Sequence, residues 1–192
     1  MEFYAKPSRG LATYNDNKFL RMWYEVSIDN IGFGIKNIKE SILSEKRWFP
    51  YNKGGKYRKW YGNNEYVVDY YNDGVNIKNT RKGAHSNNKY YFKKGLTWSR
   101  ISSSHFGVRF HHEGFIWGDA GPSLYILSDD EIYYILGVLL SKITFLILRI
   151  LNPTLTFQVG DLEQIPLYIN NQYKNQIKIY VRENLNILVT IY

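Results

Sequence analysis

Residues 132–151 form the longest apolar stretch of the chain, and its apolar positions repeat with one period. Ile132, Ile135, Leu136, Leu139, Leu140, Ile143, Leu146, Ile147 and Ile150 fall on one face of a helix. Asp129, Asp130 and Glu131 place three carboxylates in the first turn, where the helix dipole favours them, and Pro153 ends the element. Twenty residues are long enough to cross a bilayer. However, Ser141, Lys142, Thr144 and Arg149 interrupt the other face, so the pattern predicts a buried core helix and no membrane partner. Other layers of the chain must then cover that stripe.

The rest of the sequence supplies those layers. A second helix is expected at about 171–188, with Ile177, Val181, Leu185 and Leu188 as its stripe. Ile38, Ile42 and Leu43 have helical spacing within 37–47, and Pro50 is expected to close that element. Residues 19–26 fit a strand or a short helix. Residues 66–71 read as a strand closed by the turn Asn72-Asp73-Gly74, and the polar stretch 76–89 as an exposed loop. Residues 90–92, 96–101, 106–110 and 114–117 read as short strands. The expected fold is α+β: a twisted, mainly antiparallel sheet of short strands with a long buried helix and a C-terminal helix. It forms a single domain over 1–192, strand-rich over 1–128 and helical over 129–192.

Charge is distributed unevenly. The formal net charge is +8, yet residues 46–100 carry 13 basic side chains against Glu65, Asp69 and Asp73. The remainder is slightly acidic. A basic block on a near-neutral chain is the footprint of a polyanion binder. Within it, residues 48–62 interleave Lys53, Lys56, Arg58 and Lys59 with Trp48, Phe49, Tyr51, Tyr57, Trp60 and Tyr61 around Gly54-Gly55. Cations hold phosphates, and flat rings lie against sugars and bases. A basic hairpin edge with a glycine turn explains the same residues without a ligand.

Other chemistry is sparse. The absence of cysteine excludes disulfides, zinc-thiolate sites and cysteine nucleophiles, and suits a reducing cytoplasm. The N-terminus lacks an apolar signal core, so a cytoplasmic location is expected. His111 and His112 are adjacent, which on a strand sends them to opposite faces and argues against one shared metal ion. Asp69, Asp73 and Lys78 faintly resemble a nuclease core, but 76–78 lacks the carboxylate two residues before the lysine, so a turn explains them better. Asn152-Pro153-Thr154 lacks the second proline and the aromatic of the adenine methyltransferase motif. Neither a catalytic centre nor a cofactor site of the chain's own is expected.

The order of motifs carries a resemblance. It runs through Gly10-Leu11-Ala12-Thr13, residues 47–68, Gly95-Leu96-Thr97-Trp98-Ser99, and residues 151–166 with Phe157-Gln158-Val159-Gly160-Asp161 and Ile165-Pro166. This resembles the C-terminal target-recognition region of the adenine-specific DNA methyltransferases of BREX phage defence (the PglX family), and is similar to type II restriction–modification methylases. The helical end also resembles the specificity subunits of type I restriction systems. The resemblance implies a DNA sequence-recognition domain that binds double-stranded DNA and presents a target adenine to a catalytic domain outside this chain, either upstream or on a separate polypeptide. S-adenosylmethionine is then expected in the parent enzyme and no cofactor here.

On that reading, Lys53, Lys56, Lys59, Arg81, Lys82, Lys93 and Lys94 are the candidate phosphate contacts. Arg58, Asn63, Asn64, Arg100 and Arg109 are the candidate base or groove contacts, because Arg suits guanine and Asn suits adenine. The alternative is a protein–protein module that docks a methyltransferase or another defence subunit, with DNA contact incidental.

Overall fold

In the computed structural model, which describes residues 4–80, 88–103 and 105–191, the short strands sort into two four-stranded sheets rather than one. The strands are β1 (Ala5–Ser8), β2 (Leu20–Met22), β3 (Trp48–Asn52), β4 (Tyr66–Asp69), β5 (Gly95–Trp98), β6 (Val108–His111), β7 (Ile116–Trp117) and β8 (Ser123–Ile126). The first sheet has the order β1-β8-β5-β6 and is antiparallel throughout. The second has the order β2-β4-β3-β7, antiparallel except for the two-residue parallel pairing of β7 with β3. The helices are α1 (Asp16–Phe19), α2 (Ile38–Leu43), α3 (Tyr71–Thr80), α4 (Ile132–Leu139), α5 (Lys142–Leu151), α6 (Val159–Glu163) and α7 (Lys174–Ile191). The expected mixture of helix and mainly antiparallel strand is present, with the predicted C-terminal helix as α7.

The long apolar helix is two helices. α4 and α5 meet at a bend of 71°. Leu140 closes α4, and Ser141 caps α5 by accepting the Thr144 N–H at 3.2 Å. A serine hydroxyl that satisfies an orphan amide favours a new helix start over continuation. The two halves of the stripe consequently meet different surroundings. Ile132, Ile135, Leu136 and Leu139 are buried, whereas Ile143, Leu146 and Ile150 are exposed. No single helix among the described residues is long and apolar enough to cross a membrane.

Two cores result. The first packs Leu96, Trp98, Val108, Phe110, Leu124 and Ile126 of the first sheet against α4 and against Val181 and Leu185 of α7. Each large aliphatic side chain buried there contributes about 2 kcal/mol. The Asp130 and Glu131 carboxylates also fasten α7, because Lys174 meets Glu131 at 2.5 Å and Asp130 at 3.1 Å, and Lys178 pairs with Asp130. The second core packs Phe49, Tyr51, Val68 and Tyr70 with Phe19, Leu20, Ile77, Phe92 and Trp117.

Several local expectations are corrected. Pro50 does not close α2; it sits in β3, paired with Val67. The turn at 72–74 is present, with positive φ at Asn72, Asp73 and Gly74. Beyond it the chain is helical to Thr80 because Ile77 is buried, and the expected loop at 81–87 lies outside the described residues. Residues 90–92 form a turn after the 3-10 segment Asn88–Tyr90 and not a strand.

The other face of the first sheet is polar yet buried. Thr97, Arg109, His111 and Ser123 alternate with the core residues, and His111 packs against Trp117 of β7 in the second sheet. His111 lies 6.2 Å from the Trp117 ring, with Nε2 2.8 Å from Ser123 Oγ. Burial pushes its imidazole down to about 4, opposed in part by the His112 carbonyl. An unfolded histidine titrates near 6.5, so between pH 6.5 and 4 the unfolded chain takes up a proton that the native chain refuses. This site should therefore remove about 3 kcal/mol of stability as pH falls through that window, at about 1.4 kcal/mol per pH unit. Urea unfolding of the wild type and of His111→Gln measures it. The variant, less stable at pH 7, should show the shallower loss of stability towards pH 4.

Candidate nucleic-acid interface

The loops that leave the two sheets converge at one end of the molecule. β3 runs out into Lys53-Gly54-Gly55, which lies against the turn before β8. A Cβ on Gly54 would stand 2.5 Å from the Ala120 carbonyl oxygen, so only glycine allows this approach, and its φ is +89°. Ser99 donates its hydroxyl to the Gly55 carbonyl at 2.8 Å, and the Arg100 N–H donates to Ala120 O at 3.0 Å. The chain then crosses Gly107, where a Cβ would stand 2.3 Å from Arg58 O. Next it pairs with β6. The Trp60 N–H donates to Val108 O at 2.8 Å, and the Phe110 N–H donates to Trp60 O at 2.6 Å. Residues 57–61 are thus a strap that closes the open edge of the first sheet.

This arrangement assigns the rings of 48–62 to different tasks. Trp48, Phe49 and Tyr51 are buried in β3, and the Tyr51 hydroxyl donates to Leu11 O at 3.0 Å. Burial holds the Tyr51 hydroxyl well above its ordinary pKa. Trp60 and Tyr61 are half-buried against the helical core. Tyr57 is exposed and lies 5.8 Å from the His105 ring. The expected open platform of six rings is therefore not formed, because both faces of β3 are covered. The exposed rings nearby are Trp23, Tyr24 and Phe33, which precede the basic block 46–100 in sequence.

The candidate cations divide in the same way. Lys56 and Lys59 are exposed. Arg58 is half-buried, its side chain lying across Gly62. Lys53 pairs with Asp16 at 2.9 Å and stands over the Tyr66 ring. Arg100 pairs with Asp119 at 3.0 Å, and Arg9, unnoticed in the sequence, approaches the same carboxylate at 3.8 Å. Six cations (Arg9, Lys53, Lys56, Arg58, Lys59 and Arg100) thus occupy one loop cluster, with Asp16 and Asp119 among them. Lys93 and Lys94 lie at the other end of β5, about 20 Å from Arg100 by strand rise, and Lys94 pairs with Asp129 at 2.6 Å. Arg81 and Lys82 lie outside the described residues.

Two predicted base contacts are structural. Arg109 is 1% exposed in the seam between the sheets, with Nη1 3.4 Å from Ser99 Oγ. Burial pushes its guanidinium down to about 10, opposed by the Glu65 carboxylate. Asn63 is buried with φ at +61°, and its Nδ2 donates to Lys56 O at 2.9 Å, which braces the basic loop from inside. Asn64 does reach the surface and lines a cleft of about 350 Å³ with Trp23, Phe33, Tyr61 and Phe115. The faint nuclease pattern dissolves as well. Asp69 is buried against Arg47 at 2.8 Å, and Asp73 is held by Lys78 and by the Tyr70 hydroxyl at 2.8 Å.

No protein-family model matches the chain. It is 36% identical over 165 residues to the adenine-specific methyltransferase PglX of Lacticaseibacillus casei (strain Zhang), covering 82% of this chain and 14% of that protein. It is 35% identical over 165 residues to the adenine-specific methyltransferase BrxX of Escherichia coli O9:H4 (strain HS), covering 83% of this chain and 13% of that protein. The chain spans about one seventh of the length of these relatives.

The strap gives a test that needs no ligand. Gly107→Ala places a methyl group inside the Arg58 carbonyl and should push residues 57–61 off β6, at about 2 kcal/mol or more in urea unfolding. The Phe110 amide should then exchange faster. Unchanged stability and exchange would mean that the strap does not depend on that approach.

Proposed function

This chain is a region of the BREX adenine-specific methyltransferase family, and we propose that it is the part that recognises DNA sequence. The observation that carries the reading is the gathering of Arg9, Lys53, Lys56, Arg58, Lys59 and Arg100 on loops at one end of two rigid sheets. A duplex recogniser needs cations that fix register on phosphates and a smaller set of side chains that enter a groove. Exposed Lys56 and Lys59 suit the first role. Arg58, held across Gly62, and Asn64, in the cleft beside it, suit the second. Arg100 and Arg9 share Asp119, which holds both guanidinium groups near the rim until a phosphate competes for them.

In this reading the region supplies binding and orientation. Adenine chemistry and S-adenosylmethionine belong to a catalytic portion elsewhere in the parent enzyme, which works in the cytoplasm as part of phage defence. A target base must leave the duplex to be methylated, so the recognition region has to grip the duplex firmly while that happens.

Gel-shift titration of the chain against duplex DNA at several salt concentrations tests this. Lys56→Glu with Lys59→Glu should weaken retention at least about tenfold and lower the slope of log K against log salt by about 2. Arg109→Met, which removes a buried cation, should leave retention within about twofold, whereas the same change at a residue that reads a base would cost about 1–3 kcal/mol. Retention that is absent near physiological salt, or indifferent to the lysine reversals, would overturn the proposal.

A further inference from the structure

α5 presents its apolar side to solvent. Only Thr144 and Leu148 of this helix are buried. Ile143 is 70% exposed, Leu146 60% and Ile150 82%, and their spacing of three and four residues sets them in one ridge. Leu155, beyond the helix end, is 54% exposed as well. Scattered exposed leucines are ordinary, whereas three large aliphatic side chains in one ridge, roughly 400 Å² together, form a patch of the kind that marks an interface. The 71° bend that Ser141 imposes is what turns this ridge outward; a straight helix would have carried the stripe along the core.

The occupant follows from size. The relatives are about seven times longer than the stretch they share with this chain, so in the family most of the protein lies outside this structure. A free-standing dimer needs about 800 Å² per partner, twice what the ridge offers. A contact between regions already joined in one protein needs less, because the connection supplies a high effective concentration. We propose that the α5 ridge is the seat of the remaining methyltransferase portion, through an aliphatic surface bordered by a carboxylate that meets exposed Lys142. This rests on family membership and not on DNA contact.

The ridge also has a physical link to the basic loops. The His105 ring lies 5.1 Å from Phe145 of α5 and 5.8 Å from Tyr57 of the strap. A portion seated on α5 is therefore a close neighbour of the cationic loops, as two regions acting on one duplex must be.

The test compares the isolated chain with the complete methyltransferase of its own genome, whether one polypeptide or a complex. Hydrogen exchange along α5 should be at least about tenfold slower in the complete protein. Leu146→Glu with Ile150→Glu should return it to the isolated rate and speed proteolytic release of this region, with DNA retention and melting of the isolated chain unchanged. Leu146→Ser with Ile150→Ser repeats the test should the glutamates unfold the helix. Equal exchange in both proteins would overturn the proposal. So would an isolated-chain dimer at micromolar concentration that the variant dissolves. Binding of the isolated chain to vesicles of phosphatidylcholine and phosphatidylglycerol that the variant abolishes would overturn it too. Absence of a gel shift with α5 protection intact would remove the DNA reading alone.

Discussion

The pairing of Trp60 with Val108 and Phe110 is the contact on which the basic end of this molecule depends. It closes the open edge of β6, and in doing so fixes the path of residues 53–62. Without it, Lys56, Arg58 and Lys59 would ride on a long free loop and lose configurational entropy on meeting any partner. With it, they project from a segment hydrogen-bonded to a sheet, and Asn63 braces the same loop from inside. Edge protection and the display of charge are thus one arrangement, since the segment that caps the sheet also carries Arg58 and Lys59.

That strap holds because the first sheet is covered on both sides. Its apolar face meets α4 and α7, and its polar face, which buries Arg109, Thr97 and Ser123, meets the second sheet through His111 against Trp117. The buried polar groups on this face find partners within the first sheet and its turns, Thr97 donating to Pro122 O and Ser123 to Leu96 O, with His111 against Ser123. His111 contributes only while neutral, and Arg109 is charged in a place that makes charge costly. The polar face is thus satisfied inside the first sheet, and the ring contact of His111 with Trp117 joins it to the second sheet.

Much of the fold was legible in the sequence because local signals and burial agreed. The turn at Asn72-Asp73-Gly74, the strand that precedes it and the stripe of α7 are of that kind. The break between α4 and α5 was hidden because Ser141 looks like one polar residue on an open helix face, and only its hydroxyl bond to Thr144 N–H shows that it starts a new helix. At the candidate site, the sequence marked the right loop and misjudged its rings. Trp48, Phe49 and Tyr51 mix with cations in sequence, yet β3 lies between two strands and buries them. Arg109 alternates with core residues, as a surface cation on a half-exposed strand would, and nothing local reveals that the second sheet covers it. Arg9 reaches the rim across the chain, where no sequence spacing points to it.

What unites these observations is a cationic loop cluster held by two sheets, which we propose grips a duplex. The most direct measurement is amide hydrogen exchange of the chain with and without excess duplex DNA at low salt. Slowed exchange confined to residues 53–62, 99–103 and 118–121, with α5 and the far end of β5 unchanged, is the predicted result. Protection that misses those loops, or that falls instead on α5, would contradict the account.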